Sequence, residues 1–153
     1  MAESLDARIR ERFHLPNRDI RTYPVLSLAY LGDGIYDLVI RSIVAGRKAA
    51  NANRLHQASV YYVNAHAQSV MIEGLMPGLT EEELAVYRRG RNAHSYTMAK
   101  NATAGDYRRA TGFEALMGYL YLTDQMDRIL DLVAEGIRIL EEEQGDSAGT
   151  EEI

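Results

Sequence analysis

Two acidic residues stand in apolar surroundings. Asp33 lies in Leu28-Ala-Tyr-Leu-Gly-Asp33-Gly-Ile-Tyr, inside the most apolar stretch of the chain, and Glu114 lies near the start of Phe113-Glu-Ala-Leu-Met-Gly-Tyr-Leu-Tyr-Leu122. A carboxylate within a core helix is strongly unfavourable unless it is paired or bound to a cation. Small residues follow each acid: Gly34 after Asp33, and Ala115 and Gly118 after Glu114. They let two helices approach closely and leave room for a ligand. Two carboxylates from facing helices can hold one hard divalent cation such as Mg2+, which prefers oxygen ligands and keeps several waters. Such an ion lowers the pKa of a bound water and neutralises phosphate oxygens. Each acid also has a structural reading, Asp33 as an N-cap at a helix break and Glu114 as the acid of a capping box. Asp37 is one turn from Asp33 on the same face, where it supports a metal site or forms an ion pair.

The second chemical feature is cationic. Residues 88–109 hold Arg88, Arg89, Arg91, Lys100, Arg108 and Arg109 against a single acid, Asp106, although the whole chain carries a net charge of −5. Binding follows the local field more than the net charge. Guanidinium groups bind phosphate bidentately, and Gly90 within Arg88-Arg-Gly-Arg-Asn92 lets a backbone come near. The structural alternative is capping of a helix end by arginines, plus solvation. His56 and His66 are ten residues apart, a spacing that makes no paired ligand set, and read as satisfied helix histidines.

These groups need a scaffold. The 153 residues, 46% hydrophobic and 25% charged, suit one globular domain with a real core. The absence of cysteine excludes a disulfide framework, a thiolate metal site and a cysteine nucleophile, and suits a reducing cytoplasm. No apolar run is long enough to span a membrane, and Met1-Ala-Glu-Ser lacks the pattern of a signal peptide.

With three prolines and no sustained β-type alternation, the pattern predicts an all-α domain. It predicts a short helix or arm over 4–13, a helix over 25–44 broken at Gly32-Asp33-Gly34, and one helix from Asn51 or Asn53 to about Met76. A helix follows over 81–91 behind the capping box Thr80-Glu-Glu-Glu83. Residues 92–110 are expected to be largely loop. A second capping box, Thr111-Gly-Phe-Glu114, is expected to open a helix to Leu122, and a last helix spans 124–142. The organisation is then an N-terminal arm over 1–22, a domain over 23–142 and an acidic, disordered tail over 143–153.

In order along the chain, Leu28-Ala-Tyr-Leu-Gly-Asp33-Gly-Ile-Tyr-Asp-Leu, Ser59-Val-Tyr-Tyr-Val-Asn-Ala-His-Ala-Gln68, Arg88-Arg-Gly-Arg-Asn-Ala-His-Ser95, Lys100-Asn-Ala and Tyr107-Arg-Arg-Ala-Thr-Gly-Phe-Glu-Ala-Leu-Met-Gly-Tyr-Leu-Tyr121 resemble the ribonuclease III family. The set is similar above all to the small Mini-ribonuclease III branch, which consists of the catalytic domain alone. The resemblance implies an α-helical homodimer that hydrolyses double-stranded RNA with Mg2+, for which Mn2+ can substitute, and leaves 5′-phosphate products. Asp33 and Glu114 match the family's catalytic and metal-site acids. Arg88, Arg89, Arg91, Asn92, His94, Lys100 and Arg108 fall where RNA would be held. Asp37 stands as a support for the metal site, and Tyr30 replaces an aromatic that plugs into the partner subunit. The branch further implies trimming of precursor large-subunit (23S) ribosomal RNA in the cytoplasm, with a ribosomal protein as a possible stimulator.

The chain also departs from the larger enzymes. Leu26, Ala29 and Thr111 stand where those carry acids, and a further expected carboxylate falls around Asn51–Asn53. The sparser set leaves open whether one metal ion or two is held, as in the Mini branch. No double-stranded-RNA-binding domain is expected after Glu142. Two alternatives stand beside the nuclease: a catalytically inactive ribonuclease III-like RNA-binding module in ribosome assembly, and a helical interaction protein with no RNA role.

Overall fold

The computed structural model describes residues 3–93 and 103–151, and among these every regular element is helical. Ser4 caps α1 (Leu5–Arg12), which buries none of its own residues. α2 (Val25–Arg47) runs unbroken through Gly32-Asp33-Gly34, so Asp33 is not an N-cap. Glycine weakens a helix locally, but here the packing of α2 on a neighbour outweighs propensity.

The helix expected from Asn51 to Met76 is two helices, α3 (Ala52–Val63) and α4 (Ala65–Leu75). Asn64 makes the corner. Its backbone is extended, its Oδ1 accepts from the Ala67 N–H at 2.8 Å, and its Nδ2 donates to the Val60 carbonyl at 2.9 Å. One side chain thus serves the end of one helix and the start of the next. α5 (Glu81–Asn92) begins with the anticipated capping box, closed by Thr80 and Glu83.

α6 starts at Ala104, seven residues before Thr111, with Thr103 as its cap, and ends at Leu122. The Thr111 to Glu114 stretch is therefore helix interior, not a capping box. The Thr111 hydroxyl donates to the Tyr107 carbonyl instead. α7 spans Met126–Glu151, continuing well past Glu142 through residues expected to be a disordered tail. Glu141-Glu-Glu-Gln144 are good helix formers and no proline follows to stop them.

α6 is the central helix. Its Ala110, Phe113, Ala115, Leu116, Met117 and Leu120 are buried, and α2, α4, α5 and α7 pack around it. Tyr36 of α2 stands edge-on to Phe113, ring centroids 5.2 Å apart, and its hydroxyl donates to the Tyr62 carbonyl at 2.6 Å. Among the described residues no helix is long and apolar enough to cross a membrane.

A buried ion pair fastens α5 to α7. Arg128 grips both oxygens of Glu83 at 2.8 Å and donates to the Gly78 carbonyl at 3.1 Å. Arg128 holds the Glu83 carboxyl below the ordinary carboxylate range, so the pair is intact at neutral pH and loosens only in acid. Removing Arg128 strands the buried Glu83 carboxylate, so Arg128→Ala is expected to lower stability by about 3 kcal/mol. A urea melt reads this directly, and an unchanged midpoint would show that the pair does not hold the fold.

Candidate active site

The crossing of α2 over α6 sets the site. A Cβ on Gly32 would fall 1.6 Å from the Glu114 carbonyl oxygen, and one on Gly118 would fall 1.9 Å from the Leu28 carbonyl oxygen. The two backbones touch, and only glycine permits this. Asp33 follows Gly32 directly, and Glu114 is the residue whose carbonyl Gly32 meets. The crossing therefore brings together two carboxylates from opposite halves of the chain.

Their environments differ. Asp33 lies on an exposed edge of α2, whereas Glu114 is half-buried. Burial, the negative charge of Asp33 and hydrogen bonding to it push the Glu114 carboxyl up to about 8. At neutral pH Glu114 therefore holds its proton, or a cation takes the proton's place. Only Glu114 meets the sequence expectation of an acid inside the core. Asp37 pairs with Arg41 at 2.9 Å, the ion-pair alternative for that residue.

A second glycine contact brings in the cationic end of α5. A Cβ on Gly90 would lie 2.8 Å from the Ala115 Cβ and 2.9 Å from the Gly112 Cα. Arg88, Arg89 and Arg91 flank this contact, one residue removed from Glu114 along α6. Arg88, Arg89, Asn92 and Arg108 are exposed. Arg91 is half-buried, with its guanidinium 5.7 Å from the Tyr87 ring centroid and a hydrogen bond to Asn92. His94 and Lys100 lie outside the described residues.

Arg109 differs from its neighbours. Its Nε donates to the Ser69 hydroxyl at 2.7 Å and lies 3.2 Å from Glu73, with Asp106 at 3.5 Å. It ties α4 to α6 and is not free for a ligand. His66 Nδ1 meets the largely buried Asp106 at 3.1 Å in the same join. No local pattern announces this cluster, because its partners are 40 residues apart.

A ribonuclease III domain profile matches residues 26–125. The chain belongs to the ribonuclease III family. Within it, the chain resembles Mini-ribonuclease 3 of Enterococcus faecalis, 47% identical over 118 residues that cover 76% of this chain and 89% of the relative. Mini-ribonuclease 3 of Brevibacillus brevis is 46% identical over 126 residues, covering 82% of this chain and 94% of that one. A solved structure of a protein from Fusobacterium nucleatum superposes with a TM-score of 0.72 at 30% identity, covering 80% of this chain and 98% of that chain. The ribonuclease III match spans α2 to the end of α6 and so contains both carboxylates; α1 precedes it. Family membership makes the coarse activity that of an endoribonuclease.

Proposed function

We propose that the chain cuts double-stranded RNA by Mg2+-dependent hydrolysis of a phosphodiester bond, and that it works as a cytoplasmic homodimer on the ends of precursor 23S ribosomal RNA. The observation that carries this reading is the carboxylate pair Asp33 and Glu114, pressed together at the α2–α6 crossing with Glu114 raised to about 8. Such a pair is unfavourable in a structural role and useful at a metal site.

The donor set fits the ion. Both groups offer oxygen only, and among the described residues no cluster of three or more metal-ligating side chains forms. An ion held there keeps most of its waters, as Mg2+ does readily. When bound, Mg2+ supplies charge neutralisation at the phosphate and a more acidic water. Glu114 gives up its proton to act as a ligand beside Asp33. Asp37, one turn along α2 from Asp33, is paired with Arg41. Arg88, Arg89, Arg91 and Arg108, with Asn92, grip phosphates along the duplex, and His94 and Lys100 extend that surface. Contacts to the backbone rather than to base edges select A-form shape. The ribosomal substrate, and a ribosomal protein as stimulator, rest on the likeness to the Mini branch alone.

The test is cleavage of a long duplex RNA. Products are expected with Mg2+ or Mn2+, none in excess EDTA, and none from a single strand of the same sequence. Cutting that persists in chelator would overturn the mechanism.

The homodimer is supported by one face of α2. Tyr30 is 81% exposed, and Leu26 and Leu38 are exposed on the same strip, with Gly34 between them. A large aromatic so placed is characteristic of an interface anchor, and truncating one weakens association by about 2 kcal/mol or more. Tyr30→Ala is expected to be monomeric at concentrations where the parent is dimeric, as read by light scattering on dilution. A variant that stays dimeric to the same dilution would remove Tyr30 from the interface.

A further inference from the structure

A cavity of about 860 Å3 opens between the end of α2 and α3, walled by Val44, Arg47, Lys48, Asn51, Arg54 and Tyr62 among others. None of its walls is acidic. Lys48 and Arg54 have no acidic partner among the described residues. Arg47 is half-committed: its guanidinium lies 3.9 Å from Glu141 of α7 and 3.4 Å from the Tyr62 hydroxyl, which itself donates to Glu141 at 3.2 Å. Beside the cup, Tyr61 stands edge-on to Tyr62 with ring centroids 4.8 Å apart, and it is 38% exposed.

We infer that this cup binds the backbone of single-stranded RNA, where a transcript continues beyond the duplex being cut. Three cationic side chains match a run of phosphates, and Asn51 and Gln57 add neutral hydrogen-bond donors. The cavity holds more than one phosphate, and an exposed tyrosine beside a cationic groove gives a base a surface to stack on.

Placement decides between single strand and duplex. Arg47 is about 21 Å along α2 from Asp33, at a rise of 1.5 Å per residue. The row Asp33, Asp37, Arg41 runs toward a smaller cavity lined by Arg41, Ala52, His56 and Ser59, whereas the cup is lined by Asn51, the cap of α3, and by the neighbouring row Arg54, Ala58 and Tyr62, with Leu55 as the wall between the two. The cup thus opens on another flank of α3. A stiff duplex lying over Asp33 does not bend into it, but a flexible strand can. Glu141 competes for Arg47 and tunes the site.

This inference rests on the RNA-cleaving reading, and two substrates separate them: a short blunt duplex, and the same duplex with a single-stranded extension of about ten nucleotides. The unmodified protein is expected to bind the extended substrate about tenfold more tightly, a preference that fades with salt. Lys48→Glu combined with Arg54→Glu, checked for folding by circular dichroism, is expected to erase that preference and cut the blunt duplex at the parental rate. Glu141→Gln, which frees Arg47, is expected to increase the preference. An unmodified protein with no preference, or a double variant that keeps it, overturns the cup while blunt cleavage leaves the nuclease reading standing. A folded double variant that fails on the blunt duplex overturns it as well, since the cup would then lie on the duplex path. If neither substrate is bound or cut by the unmodified protein, both readings fail.

Discussion

Asp33→Asn and Glu114→Gln are each expected to lower duplex cleavage by about 10³-fold or more, with the protein fully folded. Loss of activity alone would not separate a metal-holding pair from a structural one. Stability does. Glu114 is strained in the folded protein: burial and the neighbouring charge raise it from 4.5 to about 8. Between those values the folded chain holds more protons than the unfolded chain, so stability falls as the pH rises. The contribution of the Glu114 proton is complete below pH 4.5 and lost by about pH 8. In chelator, the parent should lose stability over this window relative to Glu114→Gln, which has no proton to lose. Asp33→Asn removes the like charge and should bring Glu114 back toward the ordinary carboxylate range. Two proteins with parallel stability profiles from pH 5 to pH 8 would show that Glu114 is not held in this state.

The second large effect concerns the two neighbours of Asp33, which should respond in opposite directions. An alanine at 32 puts its Cβ 1.6 Å from a backbone carbonyl of α6. That oxygen belongs to a packed helix and cannot swing aside. α2 and α6 must separate, so Gly32→Ala is expected to lose about 4 kcal/mol or more, much of the stability of a domain this size. Any fraction that folds should also cut poorly, because a misplacement of about 1 Å between reacting groups costs roughly 10²-fold. An added Cβ at Gly34 meets nothing within 4 Å. Gly34→Ala should therefore gain up to about 1 kcal/mol from helix propensity, measured on dilute protein by denaturant titration. A Gly32→Ala protein as stable as its parent would contradict the close crossing.

This contrast marks where sequence stopped being a guide. Thr80 and Glu83 announced the start of α5 because a capping box is complete within four residues. The same logic misread Thr111 and Glu114, since it cannot tell a box from a helix already under way; the true cap, Thr103, lay in a polar stretch with no apolar rhythm. Gly32-Asp33-Gly34 looked like a break because glycine is judged locally, whereas Gly32 serves a contact with residues more than 80 positions away. Asn64 carried a cap signal that an otherwise continuous apolar pattern concealed. The two acids drew notice through their apolar surroundings. That one is exposed and the other half-buried, and that Arg109 is spent on Ser69 and Glu73 rather than left for a ligand, depends on packing that no local spacing encodes.

The crossing also gives the proposed active site a birth order. Asp33 leaves the ribosome long before Glu114, at 5–20 residues per second a delay of roughly 4–16 s. Until α6 is made and docked, Asp33 has no companion acid and Gly32 has no backbone to meet. On the proposed mechanism the unfinished chain is inert by construction. A nuclease whose proposed substrate is ribosomal RNA comes to life only after most of its own translation is done.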